Sequence, residues 1–169
     1  MTSIISGMSV AQIQMLTSGQ IASLSTTDAN ALSSVQVQGL LTTQIPYFTA
    51  ADIVQISTTA LSLLDSAQVA AISTKDVAAL TVAQISNLTS VEVHSLTSAQ
   101  VRALTTTQLS VIATTLTAAQ LGLLGASQAS GLTTTALGAI TALSTTPLAS
   151  LSTQALSVFT SAQVNALGT

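Results

Sequence analysis

The sequence predicts an all-α solenoid, a superhelix of short capped helices with one helix per eight-residue repeat. Three observations predict it. An apolar residue opens a new unit every eight positions along most of the chain. Ser or Thr follows it in 16 of 19 units, and Gln, Asp or Glu stands three residues later in 15. Val, Ile or Leu fills the sixth position in 17.

The register is explicit. Units start at Met8, Leu16, Leu24, Leu32 and Leu40 and continue without a break to the one at Leu104, so that octads cover 8–111. A four-residue insertion at 112–115 is followed by octads over 116–139, and a three-residue insertion at 140–142 by octads over 143–167. The whole of 1–169 reads as a single repeat domain. The unit is clearest in LTSAQVRA at 96–103.

Physical chemistry gives each position a task. Ser or Thr followed three residues on by Gln or Glu is a capping box, in which each side chain satisfies the other's backbone N–H at a helix start. Apolar residues just before the cap and four places into the helix form a hydrophobic staple. Thr97, Gln100, Leu96 and Val101 supply the full device in one unit. A helix start every eight residues limits each helix to about two turns, roughly 9 Å at 1.5 Å per residue. Such helices do not stand alone in water, so stacked neighbours must complete them, as in other solenoids.

A Thr-rich β-solenoid is the competing architecture, since Thr and Val favour strands. Parity opposes it, because positions 1 and 6 differ by five and a strand would send them to opposite faces. On a helix, position 6 and the next position 1 lie three apart and share a face. Positions 1 and 6 are therefore the expected core.

Breaks in the pattern carry their own expectations. Leu41 replaces the cap in unit 40–47, and Pro46 removes an N–H inside its helix. With Tyr47 and Phe48 adjacent, this spot reads as a kink filled by two aromatics. The insertions are expected to lengthen two helices by about one turn each. Pro147 falls in a first turn, where proline is tolerated.

Composition narrows the function classes. Charged residues make up only 4% of the chain, and the net charge is -3, so self-association meets little electrostatic resistance. Two basic residues cannot neutralise a run of phosphates, which excludes nucleic acid as a partner. An anionic membrane surface is excluded for the same reason. No apolar run approaches the roughly 18 residues of a membrane span. MTSIISGMSV lacks the charged and apolar regions of a cleavable signal peptide.

Catalytic, cofactor and metal sites are absent from the reading. His94 is the sole histidine and there is no cysteine, so neither a multi-histidine metal site nor a thiolate centre can be built. Glu92, Asp28, Asp52 and Asp76 all occupy position 5, where capping accounts for them. The serines and threonines have no activating base. The chain is not expected to be an enzyme, to need a cofactor or to take a small-molecule substrate.

Tandem Leu-Thr-x-x-Gln-Val-x-x units resemble repeat tracts in large, Ala/Thr-rich, cysteine-free surface and secreted proteins of bacteria. The resemblance covers 8–167 and carries over no catalytic residue. It implies an extracellular or cell-surface setting and an adhesive or scaffolding role, without a cleavable signal peptide.

The leading functional expectation is a self-assembling structural protein, a subunit of an extracellular filament or surface layer whose partner is itself, end to end. All seven charges lie between Asp28 and Arg102, leaving nothing near either end to hold copies apart. The expected interface comprises Ile4, Ile5, Met8, Ile13 and Leu16 at one end. At the other it comprises Leu156, Val158, Phe159, Val164 and Leu167. Two alternatives remain: a stalk segment of a larger adhesin, and an ice- or surface-binding protein using a regular Thr face.

Overall fold

In the computed structural model, residues 3–143, 149 and 151–167 are described. Every regular element among them is a helix, and no strand occurs. The chain forms two compact units, 1–96 and 97–169. In the first, α1 (Val10–Gln14), α2 (Ser18–Ala22), α3 (Thr26–Asn30) and α4 (Ser34–Gln38) precede a 3₁₀ turn at Ile45–Tyr47. Then come α5 (Ala50–Ile53), α6 (Thr58–Leu61), α7 (Ser66–Ala71), α8 (Thr74–Ala79), α9 (Val82–Ser86) and α10 (Ser90–Ser95). The second unit has α11 (Ser98–Ala103), α12 (Thr106–Ile112), α13 (Ala118–Leu121) and α14 (Ala126–Ser130). It closes with α15 (Thr134–Leu143), α16 (Thr153–Leu156) and α17 (Ser161–Ala166).

Each helix starts where the octad places it. Thr97, at φ -66° and ψ 160°, is extended backbone at the N-cap of α11. Its Oγ1 accepts from the Gln100 N–H at 3.3 Å, while Gln100 Oε1 accepts from the Thr97 N–H at 2.7 Å. The same reciprocal pair recurs at Ser9–Gln12, Thr17–Gln20, Ser33–Gln36, Thr81–Gln84 and Thr105–Gln108. Asp65 replaces the hydroxyl at the start of α7 and caps equally well. No described residue has positive φ, so the corners are made by this extended cap alone and need no glycine.

Positions 1 and 6 form the core, as their shared helical face requires. Val37, Val69, Val77, Val93, Leu96, Val101 and Leu104 are all buried. In the first unit, helices three octads apart pack together: α1 on α4, α4 on α6, α5 on α8, α6 on α9 and α7 on α10. One coil therefore takes three octads, and each coil rests on the previous one. In the second unit, α12 packs on α14, α14 on α16 and α15 on α17.

The irregular segments differ from expectation in part. Around Pro46 the helix shrinks to the 3₁₀ turn, and the Leu41 N–H still donates to Gln44 Oε1 at 3.0 Å. Phe48 is buried there, but Tyr47 is exposed, so one aromatic and not two fills the bend. Phe48 is simply the apolar residue of position 1. The insertion at 112–115 yields a helix ending at Ile112 followed by a turn, less than a full added turn. The insertion at 140–142 lies within the ten-residue α15. Pro147 lies outside the described residues.

Coil spacing is tight enough to demand glycine at two places. A Cβ on Gly39 would stand 2.3 Å from Cγ1 of Val10, one coil earlier, and a Cβ on Gly131 would stand 2.4 Å from Cγ2 of Thr106. Gly39→Ala is therefore expected to lower stability by about 1–3 kcal/mol through overpacking, despite alanine's better helix propensity. Adding Val10→Ala should recover most of the loss. Urea denaturation of the single and double variants checks this, and a stabilised Gly39→Ala would contradict the close approach.

Candidate assembly surface

The side chain at position 5 joins one coil to the next. A glutamine has a carbonyl oxygen that accepts and an NH2 that donates two bonds. In the capping box only the oxygen is used. The NH2 reaches back 28 and 31 residues to two backbone carbonyls of the previous coil. Gln36 Nε2 donates to the Met8 and Ile5 carbonyls at 2.8 and 3.0 Å. Gln44 donates to Ile13 and Leu16 at 2.8 and 2.9 Å. Gln84 donates to Ile53 and Ile56 at 2.9 and 2.8 Å. Gln68 shifts by one residue, to Gln38 and Leu40 at 2.9 and 2.7 Å.

The second unit repeats the device. Gln128 donates to Val101 and Leu104, each at 2.9 Å. Gln163 donates to Leu132 at 2.7 Å and Ser130 at 3.1 Å. The accepting carbonyls sit at helix ends, where the last C=O groups lack intrahelical partners. One residue thus caps the start of its own helix and the end of an earlier one. Capping alone, the role assigned from sequence, accounts for half of this.

Aspartate and glutamate at position 5 keep the acceptor half and lack the donor half. Asp28, Asp52 and Asp76 stand three octads apart, in equivalent places on successive coils. Asp28 compensates by accepting from other groups: the Ser25 hydroxyl at 2.6 Å, the Ser3 hydroxyl at 2.8 Å, the Ile4 N–H at 2.9 Å and the Ser25 N–H at 3.2 Å. Those bonds, led by Ser25 and then Ser3, hold its carboxyl down at about 2. Asp76 moves the other way. Burial pushes its carboxyl above the ordinary 3.8, opposed by the Ser73 hydroxyl and Lys75 and reinforced by the Asp52 charge.

The two shifts have opposite consequences for stability. The raised Asp76 favours the folded state when protonated, so its charge costs stability at neutral pH and that cost fades as pH falls towards 3.8. The bonds to Asp28 contribute fully above 3.8 and are lost as pH falls from there to about 2. Urea titrations from neutral to strongly acidic pH check both. Asp76→Asn should remove the gain on mild acidification, and Asp28→Asn should remove the acid-side loss. A profile unchanged by either substitution would contradict the assignment.

Glu92 is the most exposed to this chemistry although it is buried. Its Oε2 accepts from the Thr89 N–H at 2.6 Å. Its Oε1 is buried without a hydrogen-bond partner. By the offsets of 28 and 31 residues seen for Gln84, the groups expected opposite Glu92 are the Leu61 and Leu64 carbonyls, which offer no proton.

The two faces of a coil are consequently unlike. In the first described coil, Ile13 and Ile21 at position 6 are 0% exposed. Their position-5 partners Gln12 and Gln20 are exposed, in contrast to the buried Gln36, Gln44, Gln68 and Gln84. In the coil of residues 151–167 the reverse holds: Gln163 is buried, while Leu156 and Val164 at position 6 are 42% and 53% exposed. Position 6 is covered by the following coil, and position 5 is satisfied by the preceding one.

The residues expected at the interface divide accordingly. Leu156, Val158 and Val164 are exposed, with Phe159 and Leu167 partly so. Ile4 is 66% exposed, and Met8 and Leu16 are partly exposed. Ile5 and Ile13 are fully buried and belong to the core of the first unit. They drop out of the candidate surface, because the following coil already covers them.

Repeating helices that complete one another only by stacking define this chain as a repeat protein with a helical solenoid architecture. The family described as the ALTTAQ repeat matches residues 69–106. Ala79–Gln84 reads ALTVAQ, which is position 8 followed by positions 1–5, so these six residues hold the first staple residue, the cap and the coil-joining glutamine. No curated protein matches the chain, and no solved structure matches it. No helix among the described residues is long and apolar enough to cross a membrane.

Proposed function

We propose that this chain is a structural protein, not an enzyme, that assembles head to tail with copies of itself as a subunit of an extracellular or cell-surface filament or layer. One observation carries the reading: position 6, buried in the coils that another coil covers, is exposed at Leu156 and Val164. With Val158 and the partly exposed Phe159 they make an apolar face of the kind that marks an interaction site. A second surface, around Ile4, Met8 and Leu16, also presents apolar side chains, beside the exposed Gln12 and Gln20. Different surfaces meeting in this way form a heterologous contact, which yields a ring or an open polymer. The sparse charge supports the same reading: Asp28 lies beside Ile4, but residues 103–169 carry no charge to repel it.

The Thr face has less support, because the position-2 hydroxyls are already engaged as helix caps. Light scattering and electron microscopy on the purified chain test the proposal. Association at tens of micromolar that persists in about 1 M salt is expected, since screening leaves apolar contact intact. Val164→Asp with Leu156→Asp should abolish association while helicity remains. A chain that stays monomeric under all these conditions would contradict the proposal.

A further inference from the structure

We infer that two copies join in a defined hydrogen-bond register, in which the side-chain amides of Gln12 and Gln20 donate to the backbone carbonyls of a second copy's 151–167 coil. The inference rests on the self-association proposed above and adds its geometry. Gln12 and Gln20 are already held in the donor pose. Their Oε1 atoms accept from the Ser9 and Thr17 N–H groups at 2.8 and 2.9 Å, as in every completed capping box. The same bond holds the side chains of Gln36, Gln44 and Gln84, whose NH2 groups meet the preceding coil. In Gln36, Gln44 and Gln84 the NH2 finds two carbonyls there. In Gln12 and Gln20, among the described residues, it finds none.

Acceptors of the kind they lack are found in the coil of residues 151–167. Gln36, Gln44, Gln84 and Gln128 each meet the carbonyl of a position-6 residue and that of the next position-1 residue, while Gln68 and Gln163 keep the position-1 carbonyl and take that of position 7. In the 151–167 coil these pairs are Leu156 with Phe159 and Val164 with Leu167. The intervals match: Leu156 and Val164 are one octad apart, as are Gln12 and Gln20. Gln12 therefore falls on Leu156 and Phe159 when Gln20 falls on Val164 and Leu167. The same placement covers the exposed Leu156 and Val164 side chains, as the following coil does for Val37 or Val69. Apolar contact supplies the attraction, and the four carbonyls fix rotation and direction. A head-to-head pairing would bring donor amides to donor amides and is excluded by this chemistry.

Substitution to glutamate is the sharp test, because it keeps the shape and the capping oxygen, removes the donor and adds one charge that a control can match. The unmodified chain, Gln12→Glu with Gln20→Glu, and a control with equal added charge at the exposed Asn30→Asp and Gln55→Glu are compared by sedimentation velocity. Helicity should be unchanged in all three. The glutamate pair is expected to raise the concentration needed for assembly about tenfold or more, and the control much less. If the unmodified chain assembles and the glutamate pair assembles equally well, the register is wrong while self-association stands. If the unmodified chain is monomeric, both the register and the proposed function fail.

Discussion

Replacing Gln84 by alanine is expected to cost about 3–5 kcal/mol of folding stability, more than most single substitutions at an uncharged residue. Gln84 is buried; it accepts from the Thr81 N–H and hydroxyl and donates to the Ile53 and Ile56 carbonyls, so three of its bonds end at backbone groups. Alanine leaves the Thr81 N–H and the Ile56 carbonyl unpaired and the Ile53 carbonyl with only the Ile56 N–H, at roughly 1–3 kcal/mol for each buried group left without a partner that water does not reach. Gln84→Glu isolates the donor half, since it keeps the bond to Thr81 and turns an oxygen towards two carbonyl oxygens. Both variants should unfold at lower urea. Thr81→Ala, which removes only the cap hydroxyl, should cost about 1 kcal/mol. If Gln84→Ala cost no more than Thr81→Ala, position 5 would be a cap residue and nothing else.

The complementary substitution should stabilise. Glu92→Gln is expected to raise the unfolding free energy by about 1–3 kcal/mol. It replaces a buried oxygen that has no partner with an NH2 facing the Leu61 and Leu64 carbonyls. The bond from the Thr89 N–H is retained by the amide oxygen, and volume hardly changes. Chemical denaturation at neutral pH measures the gain. A loss of stability would show that the Glu92 carboxyl is held by something its equivalents along the coil lack. Together the two substitutions run the same exchange in opposite directions at equivalent places, one octad apart.

The sequence made some of these residues legible and not others, according to the distance over which each acts. Caps and staples are local: Thr97, Gln100, Leu96 and Val101 lie within six residues, so their roles can be read from spacing alone. The helical core at positions 1 and 6 follows from periodicity for the same reason. The donor role of glutamine acts across 28 and 31 residues, and its reach depends on how many octads make one coil. A perfect period of eight contains no such number, because every unit resembles its first neighbour as closely as its third.

The departures from the period do contain it. Asp28, Asp52 and Asp76 recur at every third unit, and Val10 at position 3 meets Gly39 at position 8 three units later. Correlation at 24 residues was the signal that three octads form a coil. The assignment of Ile5 and Ile13 to an exposed end failed on a related point. Burial of Ile5 and Ile13 depends on which coil follows them and not on proximity to the start of the chain. A solenoid whose units look alike still has two different faces, and only the coil geometry distinguishes them.

Hydrogen exchange of the glutamine side-chain NH2 groups, followed by NMR, tests the coil-joining role most directly. The protons of Gln36, Gln44 and Gln84 should be strongly protected, because each is spent on two buried carbonyls. Those of Gln12 and Gln20 should exchange like free amides in dilute solution and become protected as concentration rises and copies join. Exchange of the Gln84 NH2 at the rate of an exposed amide, with the protein fully folded, would contradict the account.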